Sequence, residues 1–353
     1  MAEGAFQHRL AAHCETGVTS VLLAHAGLPV SEALVFGIGS GLFFVQAPWD
    51  RLWGLPSLTF RSLPATIFKK ACKRLGVAYE MRQFGDEEQG MTALATLVDQ
   101  GKLVGLQSSI YWLEYMPRRF RFPFNLHNIL VYGRTSEGWN VSDPVLDAPV
   151  VCSEASLRHA RFAKGAFAPR GRMYYVLAAP KPSPEVLARA VLLGAQEISH
   201  HMSTIPFPYF GWRAIRYLAQ RMEQWPRRYA KSPKDALVNL ATVVRMQEEI
   251  GTGGAGFRYL GAAFLQEAGP ILGRPEFQGF SEKLTGIGDR WREFAARSAK
   301  IIKSGQAAPA AFKEAAQIVH ECGTRERDLF AEIYAVVSTI PLPGLKALPA
   351  AGS

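Results

Sequence analysis

Prolines at every second position in Pro180-Lys181-Pro182-Ser183-Pro184 divide this chain into two stretches that do not share one architecture. Closely spaced prolines deny the backbone both helix and central strand, so the segment reads as a linker. Before it, short apolar runs alternate with glycine-marked turns, the pattern of a mixed α/β region. After it, apolar residues recur at helical spacing over 184–200, 210–224, 233–250, 257–268, 276–303 and 309–337. A chain of 353 residues exceeds the usual size of one core. Two domains are therefore expected, 1–180 and 181–340. The small, proline-broken stretch 341–353 is expected to be a disordered tail.

Within the first stretch, Val18, Val21, Leu22 and His25 lie on one face of a helix over 15–26, which Gly27 and Pro29 end. Residues 31–45 read as a short helix, a glycine-rich turn and a strand. Lys69 to Leu75 and Thr92 to Gln100 read as helices. Strands are expected from Leu103 and over Arg172 to Leu177. The clearest local unit is a hairpin in which Ile129–Tyr132 and Trp139–Ser142 are joined by Arg134-Thr135-Ser136-Glu137-Gly138. Centring its turn on Thr135 or Ser136 sets His127 opposite Asp143, or one place off. Directly paired residues have Cβ atoms about 4.5–5.5 Å apart.

That hairpin gives meaning to Cys14, at the expected start of the first helix. A helix N-terminus and a neighbouring imidazolium both favour a thiolate over a thiol. His127 supplies the imidazole, and Asp143 the carboxylate that orients it. The order Cys, His, Asp is that of papain-like enzymes. Taken alone, Cys14 more commonly reads as a small buried core residue. His13 competes as base, although sequence neighbours at a helix start point apart. Cys72, Cys152 and Cys322 lack comparable partners and read as structural. The four cysteines form neither a metal-ligand pattern nor a disulfide framework, and His200-His201 has no further ligand at metal spacing.

Composition sets wider limits. With 48% hydrophobic and 20% charged residues the chain is a folded globular protein rather than a disordered one. No apolar stretch runs uninterrupted for the ~20 residues of a bilayer crossing, and the amino end lacks signal-peptide layout, so a cytoplasmic protein is expected. A net charge of +10 suits nucleic acid or an acidic carrier protein. No nucleic-acid-reading motif accompanies that charge, and no nucleic-acid partner is expected.

Two glycine clusters are ambiguous. Gly37, Gly39 and Gly41 lack a Walker lysine and read as a tight turn approaching the active site. Gly251-Thr252-Gly253-Gly254-Ala255-Gly256 opens a helix and reads as a helix–helix turn or as a cradle for a pantetheine phosphate. Arg118 to Arg121, among Tyr111, Trp112, Tyr115, Phe120 and Phe122, reads as a cover over the cleft or as a basic insertion.

His13-Cys14-Glu15, Leu28-Pro29-Val30-Ser31-Glu32-Ala33-Leu34-Val35-Phe36-Gly37, His127-Asn128 and Asp143-Pro144 resemble the N-terminal domain of butirosin biosynthesis protein H. The helical remainder, with Gly253-Gly254-Ala255-Gly256-Phe257-Arg258 and Phe264-Leu265-Gln266-Glu267-Ala268, resembles the domain that usually follows it. The resemblance implies an α+β, papain-like cysteine acyltransferase or peptidase core followed by an all-helical domain. It implies transfer of an acyl or aminoacyl group from an acyl carrier protein thioester, through acyl-Cys14, to a small-molecule amine. His127 would be the base and Asp143 the orienting acid. The donor group would be the carrier's phosphopantetheine arm, with no bound cofactor and no metal. Papain-like enzymes place an oxyanion-hole glutamine six residues before the cysteine; here that position is His8, one step after Gln7. Glu32 matches the family's Ser-Glu segment and lines the site or caps a helix. A thioesterase or peptidase using water, and a binding protein with a vestigial triad, are the alternatives.

Overall fold

A computed structural model describes residues 6–52 and 55–342 of the chain. The expected tail lies, from Pro343 onward, outside the described residues. The described residues form two compact units. The first gathers the chain up to Val35, Leu63–Lys181 and Gly251–Gly253. The second gathers Phe36–Ser62, Pro182–Ile250 and Gly254 onward.

The first unit is built on a six-stranded antiparallel sheet. Its strands are β3 (Ala78–Arg82), β4 (Val104–Ser108), β5 (His127–Thr135), β6 (Gly138–Ser142), β7 (Val150–Cys152) and β8 (Met173–Ala178), in the order β3-β8-β4-β5-β6-β7. Helix α1 (Cys14–His25) lies against β4, β5 and β8. Residues Cys14 to Leu23 are buried on every side of it, which is the state of a helix enclosed by its own unit. Here α2 (Glu32–Ile38) begins, and α3 (Thr66–Leu75), α4 (Glu87–Asp99) and α5 (Glu154–Arg161) complete the unit. Ile129 and Val131 enter a core with Met91 and Leu94 of α4 and Leu157 and Ala160 of α5. Alternation of side chains sends Asn128 and Tyr174 to the opposite face, where Tyr174 packs on Phe68 of α3 with ring centroids 4.6 Å apart.

Buried Glu15 joins two helices. Its carboxylate accepts the backbone N–H groups of Ala65 at 3.2 Å and Phe68 at 3.3 Å. Helix α3 has no side-chain cap of its own, so a residue of α1 supplies the acceptor its first turn requires.

The second unit contains α6 (Pro184–Ser203), α7 (Gly211–Arg228), α8 (Pro233–Glu248), α9 (Arg258–Leu272), α10 (Glu276–Ser304) and α11 (Pro309–Thr339), which match the expected helices closely. It also contains the two-stranded ribbon of β1 (Leu42–Leu52) and β2 (Leu55–Arg61). The reason is aromatic packing. Phe60 meets Trp291 edge-on at 5.5 Å and Phe44 at 4.9 Å. Buried beneath them, Arg258 makes a two-pronged ion pair with Glu326 at 3.0 and 2.7 Å, and Trp291 Nε1 donates to the same carboxylate at 2.8 Å.

Gly37, of the glycines at 37–41, serves this packing rather than an active-site turn. A Cβ at Gly37 would collide with the Phe264 ring, and one at Gly194 with the Gly37 carbonyl, so α6 and α9 approach the end of α2 closely. At the later cluster the Ala255 N–H is donated to Glu248 at 3.2 Å. A carboxylate of the chain itself takes that donor, as suits a turn rather than a phosphate cradle.

Candidate active site

The site begins with the register of the β5–β6 hairpin. Thr135 pairs with Gly138, leaving Ser136 and Glu137 as a two-residue loop. Continued without interruption, that register would set Asp143 opposite Leu130, on the other face from His127. A bulge at Tyr132 changes it: Gly133 pairs with Asn140, but Val131 pairs with Val141 and Leu130 with Ser142. The extra residue moves Asp143 to the place opposite Ile129, two residues from His127 and on its face. The expected offset of zero or one is therefore corrected to two. Phe6 stacks on the bulged Tyr132 with ring centroids 4.1 Å apart.

His127 Nε2 and Asp143 Oδ2 are 2.7 Å apart, both buried. Tyr115 donates its hydroxyl to the same Oδ2 at 3.0 Å, and the Val145 N–H donates to Oδ1 at 3.2 Å. Burial first, then the Asp143 charge, holds the Tyr115 phenol well above its ordinary range, so it stays a donor. For His127, burial alone would lower the pKa. The charge and hydrogen bond of Asp143, with a hydrogen bond and charge from Cys14, outweigh burial and raise it from 6.5 to about 10. The imidazole is thus tied to the carboxylate through Nε2, and the influence of Cys14 on its pKa marks the sulfur as a neighbour of the ring.

Cys14 is the first residue of α1 and 6% exposed. Its Sγ lies 3.9 Å from the Leu126 carbonyl oxygen and 3.8 Å from Asn128 Nδ2, so it sits between the residues that flank His127. His13 is the cap of α1, its Nδ1 accepting the Thr16 N–H at 3.4 Å, which commits that nitrogen locally.

The two further residues singled out from the sequence brace this arrangement. Glu32 accepts from the backbone N–H groups of Ala12 at 2.9 Å and His13 at 2.8 Å and from the Thr16 hydroxyl at 2.8 Å. It is a cap for the segment that delivers Cys14. Both ring nitrogens of His8 are engaged, with Ser142 Oγ and with the Leu146 carbonyl, each at 2.8 Å. His8 thus fastens the chain before Cys14 to the loop that carries Asp143, instead of offering a ring N–H to an oxyanion. The Ala11 N–H reinforces this by donating to the Pro144 carbonyl at 2.9 Å. A Cβ at Gly17 would collide with Ala11 and crowd Pro144, so glycine there permits the approach.

Tyr115, Asn128 and Tyr174 were not assigned roles from the sequence. Asn128 carried a signal in its place beside His127, whereas Tyr115 was one aromatic among several in a basic loop. That loop buries Leu113 and Met116 and leaves Tyr111, Trp112 and Phe120 exposed. Among the described residues, no group of three or more His, Cys, Asp or Glu could hold a metal ion. Nor is any helix among them long and apolar enough to cross a membrane.

Known proteins supply the context. The N-terminal model of butirosin biosynthesis protein H matches residues 13–144, from one residue before Cys14 to one after Asp143. The family described as Domain of unknown function (DUF4872) matches residues 155–333, half of the chain. A search of curated proteins found no match. Among solved structures, a Bacillus anthracis protein described as C39-like peptidase is 13% identical over 51% of this chain and 96% of its own, with a TM-score of 0.35. The resemblance read from the residues is borne out. This chain belongs to the family in which a butirosin biosynthesis protein H N-terminal domain, here an α+β core, precedes that C-terminal domain of unknown function.

Proposed function

We propose that this protein is a cysteine-dependent N-acyltransferase. It takes an acyl or aminoacyl group from an acyl carrier protein thioester, holds it on Cys14 and passes it to an amine, in specialised-metabolite or lipid biosynthesis. The observation that carries this reading is the gathering of three groups: His127 Nε2 lies 2.7 Å from Asp143, and the Cys14 sulfur lies 3.9 Å from the Leu126 carbonyl and 3.8 Å from Asn128 Nδ2, the residues on either side of His127.

In this reading the Cys14 proton resides on His127, and the thiolate attacks the donor's carbonyl carbon. The new S–C bond forms as the bond to the phosphopantetheine sulfur breaks, and His127 returns a proton to that departing thiol. One thioester replaces another, so this half is nearly balanced in free energy. The amine then attacks the acyl carbon, His127 accepts its proton, and Cys14 leaves as thiolate. Amide formation makes the second half run downhill. The Cys14 N–H at the head of α1 is a natural oxyanion donor. The low exposure of the sulfur limits competition from water. The chain's net charge of +10 suits an acidic carrier, with an association that weakens as salt rises.

The test is intact-mass measurement after incubation with acyl-loaded carrier protein. An adduct of the acyl mass, absent from Cys14→Ala and discharged on adding an amine with formation of amide, is expected. Free acid formed without amine dependence would make the protein a hydrolase. No adduct in the wild type would remove the catalytic reading.

A further inference from the structure

Asn128 lies in an arrangement that a packing residue does not require. Its Oδ1 accepts the Tyr174 hydroxyl at 3.0 Å, which fixes the orientation of the amide. Nδ2 then faces the Leu126 carbonyl at 3.2 Å and the Cys14 sulfur at 3.8 Å. The two hydrogens of a side-chain amide match these two acceptors. Asn128 and Tyr174 are 6% and 2% exposed, so water contributes little to either group.

The sulfur therefore has a partner in each of its states. As a thiol it can donate to the Leu126 carbonyl at 3.9 Å. As a thiolate it has given its proton to His127 and needs donors, which Asn128 provides. The amide's other hydrogen also covers the Leu126 carbonyl, whose oxygen would otherwise repel the negative sulfur. In so buried a place a fixed donor acts on a charge more strongly than it would in water.

We propose that Asn128 is a catalytic residue, donating directly to the Cys14 thiolate, and that Tyr174 is a positioning residue that keeps the amide nitrogen turned toward the sulfur. The proposal rests on Cys14 being the nucleophile and identifies what stabilises it besides His127.

The test is the pH dependence of Cys14 alkylation by iodoacetamide, followed by peptide mass, which needs no acyl substrate. The other cysteines interfere little near neutral pH. Burial pushes the Cys72 thiol up to about 12, the Cys152 thiol up to about 11, and raises that of Cys322 as well. Wild-type Cys14 is expected to react well below the range of a free thiol, near pH 8.5. Asn128→Ala should slow the reaction at pH 6 about tenfold and move the midpoint upward by about one pH unit. Asn128→Asp, nearly the same in shape, should do at least as much. Tyr174→Phe should slow it about threefold in the same direction, since the donor remains but is no longer held. A merely structural role would lower the melting temperature and leave the midpoint unmoved. If Asn128→Ala does not fold, the Asp and Tyr174→Phe variants decide by the same reading. Folded variants with the wild-type profile overturn the proposal, and a wild type unreactive below pH 8 overturns it together with the thiolate beneath it. Shifted profiles without any acyl adduct would leave Asn128 in place and remove only acyl transfer.

Discussion

Tyr115 and His127 bind the same oxygen of Asp143, the phenol at 3.0 Å and the imidazole at 2.7 Å. The carboxylate is thereby held from the loop before β5 as well as from its own backbone. Replacing Tyr115 by phenylalanine keeps the ring and removes one donor from a buried anion. A stability loss of about 1–3 kcal/mol is expected, with reduced but measurable Cys14-dependent activity. Urea titration and single-turnover acylation would check both. Wild-type values in each would show that the phenol is incidental.

The raised pKa of His127 makes a signed prediction. Its folded value of about 10 lies above the ordinary 6.5. The imidazolium–Asp143 contact therefore contributes stability that is fully present below about pH 6.5 and is lost as pH rises through about 10. Asp143→Asn removes the charge behind that shift. Chemical denaturation at pH 6, 8 and 10.5 should show the gap between wild type and variant narrowing as pH rises. A widening gap would contradict the assignment.

Glu32 acts through three donors around the nucleophile. Glu32→Ala leaves the Ala12 and His13 N–H groups and the Thr16 hydroxyl without it. A loss of about 2–3 kcal/mol is expected, with faster hydrogen exchange confined at first to residues 8–16. Glu32→Gln, which keeps the oxygen acceptor, should recover about half of it. Identical exchange in all three proteins would rule out the capping role.

In the second unit, Arg258 and Glu326 are fully buried together. Glu326→Ala would leave a buried guanidinium and the Trp291 N–H unmatched, at a cost of about 3–5 kcal/mol. Replacing both partners with apolar residues should cost less than this single change. Thermal unfolding of the single and double variants gives the comparison, and a more damaging double variant would refute it.

Much of this architecture could be read along the chain, because helices and hairpins are written in local spacing. The six helices after the linker follow from their apolar period, and Cys14 stands at the start of the helix that Val18, Val21 and Leu22 mark out. Strands β2 and β3 were not anticipated. They are short, and what makes them strands is their neighbours. The assignment of residues 36–62 to the helical unit was equally out of reach, since it depends on Phe44 and Phe60 meeting Trp291, more than 200 positions away.

The site divides in the same way. Its chemical groups, Cys14, His127 and Asp143, were identifiable from residue type and order. Their convergence depends on one extra residue in β5. Without the bulge at Tyr132, Asp143 would face away from His127, and nothing in the local pattern announces it. Glu32 and His8 were visible as unusual residues near the cysteine, but their partners lie 16 to 138 positions distant, and their bracing roles emerge only from those contacts.

By itself the amino-acid order determined which groups can do chemistry here and which segments are helix, hairpin and linker, because these depend on residue type and short-range period. Tertiary structure alone decided that Asp143 shares a face with His127, that Asn128 turns its nitrogen to the sulfur, and that a ribbon from the first stretch joins the second unit. Those outcomes rest on contacts between residues far apart in the chain, whose energies exist only once both sides are in place.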